Sequence, residues 1–168
     1  MRVLSIDPAI RHTGYAVTEG DFRTPSTPAY GTLVIPNRIS QSESLLRIHQ
    51  TLCSMIEQWQ PDELAIEGVI YVQSHRTAIA MGSARAAAIL AAARYGRPIM
   101  EYPPNCVKLA TVGRGHAGKE QVAFMMRALF RLTETPASDA ADALAIGYTH
   151  LAASDPSRAH LFLKKKYI

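Results

Sequence analysis

The segment Val3-Leu4-Ser5-Ile6-Asp7-Pro8 sets the architecture of the chain, because it reads as a short β-strand that ends in a carboxylate. Pro8 has no amide hydrogen to donate to a sheet, so pairing should stop there and leave Asp7 at the end of the strand. Side chains alternate along a strand, so Leu4 and Ile6 should face one side of the sheet and Asp7 the other. Taken alone, Asp7 is most simply a solvated strand-end residue, and only carboxylates further along the chain change that interpretation.

The composition is typical of a single globular domain. The chain has 168 residues, of which 48% are hydrophobic and 19% charged, and 18 Lys+Arg against 14 Asp+Glu give a net charge of +4. That excess permits a polyanionic partner without requiring one. No apolar run approaches the roughly 20 residues that span a bilayer, the first residues do not form a signal peptide, and the two cysteines lack metal-ligand spacing. We therefore expect a cytoplasmic protein with no membrane partner.

The residues that follow the first strand predict an antiparallel meander. Residues 11–14 read as a turn, Tyr15 to Thr18 as a second strand, residues 24–28 as a polar, proline-rich loop, and Tyr30 to Ile35 as a third strand. Short connections of this kind favour antiparallel pairing.

A helix and a parallel strand come next. Ser40 and Glu43 have the spacing of a capping box and precede an apolar stripe with helical period. Leu64 to Glu67 reads as a strand that again ends in a carboxylate. Because a helix separates this strand from the first one, the two should be parallel neighbours. Asp7 and Glu67 would then lie together at the carboxyl ends of adjacent strands, where open α/β sheets place their sites.

The second half of the chain predicts four helices and one more strand. The first of these helices is rich in small residues, which permit close packing against its own sheet or against a second subunit. The predicted elements are a helix from Thr77 to Tyr95, a strand from Pro98 to Tyr102, and helices from Asn105 to Val112, Lys119 to Phe130 and Ser138 to Ala153.

A second pair of carboxylates, Asp139 and Asp142, stands at the start of the last helix. A spacing of three puts both on one helix face, where they could be solvated or could meet Asp7 and Glu67. Buried together, the four acids would need a cation. Four carboxylates without His or Cys favour Mg²⁺ or Mn²⁺, and two such ions about 3.5–4 Å apart can promote phosphodiester hydrolysis. A zinc hydrolase is disfavoured because no closely spaced His/Cys/Glu set is present.

Several separated motifs give the chain a specific resemblance to one family. It resembles the RuvC family of Holliday-junction resolvases from Val3 to about Leu151. The matching motifs are Ile6-Asp7-Pro8 with Thr13-Gly14-Tyr15, Ala65-Ile66-Glu67, Val107-Lys108 with Thr111-Val112-Gly113, Lys119 with Gln121-Val122, and Ala137 to Ala145 followed by Thr149-His150.

The resemblance implies an α/β, ribonuclease-H-like fold of the retroviral-integrase superfamily, with a five-stranded mixed sheet flanked by helices. We expect a nuclease domain at residues 1–155 and a basic tail at residues 156–168. It further implies a homodimer that cuts opposing strands of a four-way DNA junction in recombination and repair, with two Mg²⁺ (or Mn²⁺) per active site. RuvA and RuvB branch-migration proteins are further candidate partners. The implied catalytic and metal-binding residues are Asp7, Glu67, Asp139 and Asp142, with Lys119 as a catalytic residue that, like Lys108, lies near the scissile phosphate.

The chain departs from the family pattern at two positions. Ala9 stands where the family has glycine, so the turn after Asp7 should differ slightly. Ile70 replaces a phenylalanine that wedges or stacks on junction bases. Ile70 could still act as a wedge, Tyr71 could take over the stacking, or both could simply pack the loop.

Basic residues outside the carboxylate set are candidate DNA contacts or, alternatively, a solvated surface. They are His75, Arg76, Arg114, His116 and the run Lys164 to Lys166. Other functions compatible with the sequence are a catalytically inactive junction-binding protein, a related RNA-processing nuclease, and an actin-like nucleotide phosphotransferase, for which the chain is short.

Overall fold

The structure is a computed structural model that describes residues 1–68, 74–113, 115, 117–162 and 165–168. The predictions made for Ile70, Tyr71, Arg114, His116 and Lys164 lie outside these described residues.

A mixed sheet forms the centre of the described structure. Its strands lie side by side in the order β3-β2-β1-β4-β5-β6. The first three strands are antiparallel to one another, β1, β4 and β5 are parallel, and β6 is antiparallel to β5. The strands are β1 Arg2–Asp7, β2 His12–Glu19, β3 Ser26–Val34, β4 Glu63–Glu67, β5 Ile99–Tyr102 and β6 Lys166–Tyr167.

Helices cover both faces of the sheet and give it two hydrophobic cores. Leu4, Ile6 and Ile66 pack with α1 and α2 on one face, whereas Val3 and Ala65 pack with α3, α4 and α5 on the other. The alternation predicted for the first strand is therefore confirmed. The helices are α1 Gln41–Trp59, α2 His75–Arg94, α3 Pro104–Val112, α4 Lys119–Leu129 and α5 Ser138–Ser154, with a short 3₁₀ helix at Ala159–Phe162.

The meander, the parallel β1–β4 pair and the Ser40/Glu43 capping box are confirmed. The prediction of a loop at residues 24–28 was wrong, because β3 already starts at Ser26. Proline is tolerated there since β3 is an edge strand, where an amide hydrogen is not needed on the open side. The turn expected at residues 11–14 was also wrong, since β2 begins at His12.

Two further expectations need correction. Within the described residues the sheet has six strands rather than five, because Lys166–Tyr167, inside the segment expected to be a basic tail, pairs with β5. The same segment is tied to α5 by a hydrogen bond that Lys165 Nζ donates to Ala153 O at 3.1 Å. Helix α2 starts at His75, two residues before the expected Thr77, with Ser74 as its N-cap. Ser74 and Thr77 are both residue types that can cap a helix, so the sequence alone did not distinguish the two starting points.

Helix α5 lies unusually close to β1 and β2. Almost every residue from Ala140 to Ala153 is buried, since α5 packs between the sheet and the helices α3 and α4. Gly147 is the point of closest approach in the second half of α5. A Cβ atom added there would lie 2.7 Å from Thr18 Cγ2 and 2.8 Å from Ser5 Oγ, closer than real Cβ contacts allow. Only glycine lets the helix rest on the strands at this depth.

No described helix combines the length and the apolar character that crossing a membrane requires.

Gly147→Ala should destabilise the protein, because Ser5 and Thr18 are fully buried and too short to move aside. We expect a loss of about 1–3 kcal/mol in the free energy of unfolding, the usual cost of overpacking. Thermal unfolding in dilute solution would measure it. Gly82→Ala is the matched control, since within one chain a Cβ added there meets nothing within 4 Å, and both variants are compared at a concentration at which the chain is monomeric. It should raise the stability by about 0.5–1 kcal/mol through helix propensity. Equal effects of both substitutions would contradict this account of α5 packing.

Candidate active site

The sheet brings two strand-end carboxylates together. Ile6 of β1 is registered opposite Ile66 of β4, and the next residues along these parallel strands are Asp7 and Glu67. Val3 and Ala65, which share the alternation of Asp7 and Glu67, pack on the α5 side of the sheet. Both carboxylates therefore point to the face that α5 covers.

A glycine in β2 allows the start of α5 to reach these strand ends. Gly14 is registered opposite Asp7. A Cβ added to Gly14 would lie 2.0 Å from the backbone oxygen of Asp139, a distance that no side chain could occupy. Because α5 starts at Ser138, this contact fixes the first turn of the helix against the end of β1. Asp139 in that first turn and Asp142, three residues further along the same helix face, are thereby held beside Asp7.

All four predicted carboxylates line one cavity of about 500 Å³. The cavity is also lined by Lys108 of α3 and Lys119, the first residue of α4. Lys119 Nζ lies 3.5 Å from Asp142 Oδ2, a distance that permits an ion pair. The structure therefore brings together six residues that come from five different elements: Asp7, Glu67, Lys108, Lys119, Asp139 and Asp142.

The cavity is an unfavourable place for unneutralised negative charge. Burial, then the negative charges of Asp142 and Asp139, raise the pKa of Asp7 from 3.8 to about 7. Burial, then Asp7 and Asp142, raise the pKa of Glu67 from 4.5 to about 7. Burial also raises the pKa of Asp142, although Lys119 opposes that shift. Two lysines face four acids, so the described side chains leave negative charge in excess.

This donor set fits hard divalent cations such as Mg²⁺ or Mn²⁺, because every acidic ligand offers oxygen and each is partly desolvated. Among the described residues, however, no three His, Cys, Asp or Glu side chains are already gathered closely enough to form a metal site. Like charges in a partly buried cavity repel one another, so a cation would favour their closer approach. The four carboxylates therefore line one cavity, but their oxygen atoms do not converge on a single point.

The predicted DNA-contact residues are divided by the structure. His75 and Arg76 stand in the first turn of α2 and are exposed, whereas the predicted helix began only at Thr77. Arg76 lines a groove beside the cavity, together with Arg11. Ile70, Tyr71 and Arg114 lie outside the described residues.

Sequence reasoning missed His12, which lines the carboxylate cavity. Because residues 11–14 were predicted to form a turn, the side chain of His12 was not assigned to a face of the sheet. Once β2 is extended to His12, strand alternation places His12 on the same face as Gly14, and Gly14 is the partner of Asp7. The signal was therefore present in the spacing between His12 and Gly14.

Comparisons with known proteins agree with this architecture. The family model described as "Crossover junction endodeoxyribonuclease RuvC" matches residues 3–150. A protein of that name from Akkermansia muciniphila is 61% identical over the full length of both chains. Another from Halorhodospira halophila is 42% identical, and the match covers 89% of each chain.

Solved structures give the same result. The structure described as T. thermophilus RuvC in complex with Holliday junction substrate superposes with a TM-score of 0.87 and 31% identity, covering 100% of this chain and 99% of the other. A yeast mitochondrial Holliday junction resolvase is only 12% identical, with a TM-score of 0.64, and supports the fold alone. The expected ribonuclease-H-like fold is confirmed. From the family model and these full-length matches it follows that the chain belongs to the RuvC family of crossover junction endodeoxyribonucleases.

Proposed function

We propose that this protein is a metal-dependent, structure-specific endonuclease that resolves four-way DNA junctions through phosphodiester hydrolysis, in recombination and repair. The observation that carries the proposal is the convergence of Asp7, Glu67, Asp139 and Asp142 in one cavity, with Lys119 at its edge. Retention of all four carboxylates argues against a catalytically inactive junction-binding protein.

The proposed cofactor is a pair of Mg²⁺ ions per active site, with Mn²⁺ as an alternative. Asp7, Glu67, Asp139 and Asp142 would hold them. The chemistry that such ions supply when bound is activation of a water and stabilisation of the leaving oxygen. Lys119 is placed to attract a non-bridging phosphate oxygen while restraining Asp142, and Lys108 adds a second positive charge to the cavity wall. These two lysines orient the phosphate of the strand that is cut.

We propose that the protein makes paired cuts in opposing strands of the junction, which requires two active sites related by symmetry. A homodimer supplies them, and α2 carries a surface suited to forming one. One face of α2 is exposed and carries no charge: Ile79, Gly82, Ala86, Leu90 and Ala93. Ile79 is 68% exposed and Leu90 61% exposed. The opposite face is already buried against the sheet and α1, so the exposed stripe, hereafter the α2 stripe, remains for a second copy of the chain.

Asp7→Asn should lower junction cleavage by about 10²–10³-fold, because losing a metal-binding carboxylate removes several kcal/mol of transition-state stabilisation. Junction binding in EDTA should change little, since the substitution preserves shape. Cleavage of a synthetic four-way junction, beside linear duplex and structured RNA, with Mg²⁺ or Mn²⁺, measures the effect.

Glu134→Gln is the control for that experiment, because it removes a carboxylate that is exposed and does not line the cavity. It should cut at the wild-type rate. Undiminished cutting by Asp7→Asn, or cutting by wild type in EDTA, would be incompatible with the proposed mechanism.

The metal-free protein should lose stability as the pH rises. The pKa of Asp7 is raised from 3.8 to about 7 in the folded chain, so between these values the folded state holds a proton that the unfolded state has lost. The contribution of Asp7 to stability is therefore greatest below pH 3.8 and is lost as the pH rises from there to about 7. Asp7→Asn cannot ionise, so it should unfold at a higher temperature than wild type at pH 8, by about 2–4 °C for each kcal/mol of repulsion removed.

The gain from Asp7→Asn should shrink near pH 5, where the wild-type carboxyl is protonated. Differential scanning calorimetry in EDTA measures both values. Added Mg²⁺ should restore wild-type stability at pH 8 more than that of Asp7→Asn. A gain that is independent of pH would contradict the repulsion argument.

Leu90→Lys should disrupt the homodimer, because it places a charge in the middle of the α2 stripe. Sedimentation at micromolar concentration should then show a monomer. Fewer junctions should be cut on both strands than are nicked on one strand only. Leu46→Lys is the matched control, since Leu46 is a 54% exposed leucine on α1, outside the stripe. A wild-type protein that stays monomeric even with junction DNA would exclude the proposed assembly.

A further inference from the structure

His12 stands where the carboxylate cavity opens onto a second groove. It lines the cavity together with Asp7 and Asp139. It also lines the neighbouring groove, of about 390 Å³, which Arg11, Arg76 and Thr77 help to form. Ala9, His12 and Met81 border both spaces, so the groove continues the cavity. We call this neighbouring space the basic groove.

The charge of the basic groove is opposite to that of the cavity. Arg11 and Arg76 contribute two permanent positive charges, and no carboxylate is found among the described residues that line it. The cavity, in contrast, is lined by four carboxylates. A nucleic-acid strand carries one negative charge per nucleotide. Of the two spaces, only the basic groove suits the phosphates that follow the one being cut.

The side chains of Arg11 and His12 differ in how free they are to bind a ligand. The guanidinium of Arg11 donates hydrogen bonds to Pro36 O, Ser44 Oγ and Ile39 O at 2.7–3.1 Å, so its position is fixed by the chain itself. The side chain of His12 is exposed and makes no hydrogen bond or ion pair within the described part of the chain. Its ring nitrogens therefore have their hydrogen-bonding capacity left for a ligand.

The backbone around His12 is held firmly. Thr13 Oγ1 donates a hydrogen bond to Ala9 O, and Ile35 N donates to Arg11 O at 2.9 Å. Gly14, two residues on, is registered with Asp7 and pressed against Asp139. The position of the His12 backbone relative to the strand-end carboxylates is therefore set by the same strand pairing that fixes the site.

We propose that His12 binds the backbone phosphate next to the scissile phosphate, where the cut strand passes from the carboxylate cavity into the basic groove. A ring N–H donates a hydrogen bond to a non-bridging oxygen of that phosphate, and no bond is made or broken at His12. The role is positioning of the strand, and it rests on the proposed endonuclease function.

The test combines a protein substitution with a substrate substitution. Dissociation constants for a synthetic four-way junction are measured in EDTA, so that binding is separated from cutting. His12→Ala should weaken binding about 10-fold, the lower end of what is expected for one hydrogen bond to a charged group. His12→Gln keeps an N–H donor and should recover part of the loss.

The substrate arm identifies the phosphate. Methylphosphonate, which is neutral, replaces the phosphates around the cut one at a time. At one phosphate next to the cut, the replacement should weaken binding by wild type but leave His12→Ala unaffected, because the shared contact is already lost. His160→Ala, another exposed histidine, is the control and should lose affinity at that phosphate as wild type does.

Two results would overturn the inference. One is wild-type affinity in a folded His12→Ala protein, with the fold checked by thermal unfolding. The other is additive loss from His12→Ala and methylphosphonate at every phosphate. Failure of the proposed activity is a separate result, namely junction binding without cutting when metal is added, and it leaves the coupling measurement in EDTA unaffected.

Discussion

The close contact between α5 and the first two strands is the constraint on which the rest of the structure depends. Two glycines make this contact possible, one in each of the packed elements: Gly14 in β2 and Gly147 in α5. At Gly14 the sheet lacks a side chain that would collide with the helix, and at Gly147 the helix lacks a side chain that would collide with the sheet. The two contacts fix both the height and the direction of α5. Asp139 consequently starts beside Asp7, although the two residues are far apart in sequence.

This firm packing of α5 is needed because bringing the residues of the site together is energetically unfavourable. Four carboxylates in one partly buried cavity repel one another, and the raised pKa values of Asp7 and Glu67 express that cost. The stability that offsets it comes from elsewhere, chiefly from the burial of α5 along most of its length and from the two cores on either side of the sheet. The fold thus holds together a set of groups that a divalent ion would stabilise.

The sequence predicted the elements whose signals are local. Alternation along β1, the capping box at Ser40 and the breaker after Asp7 all depend on neighbouring residues, and each is confirmed. Signals that depend on distant partners were missed. β6 has two residues and exists only through pairing with β5, and the extension of β2 back to His12 depends on pairing with β3. The grouping of the carboxylates was predicted from strand topology and family resemblance, while the reason it is possible, the space left by Gly14, becomes visible only in three dimensions.

The short strand β6 also has a consequence for the behaviour of the protein in a crowded solution. Without a neighbour, β5 would present a row of open amide and carbonyl groups, the surface on which foreign strands add during aggregation. Residues 166–167 occupy that edge, and the new edge that they create is very short and carries Lys166, whose charge discourages further pairing. These two residues therefore protect the β5 edge of the sheet, from which strands could otherwise add from one molecule to the next.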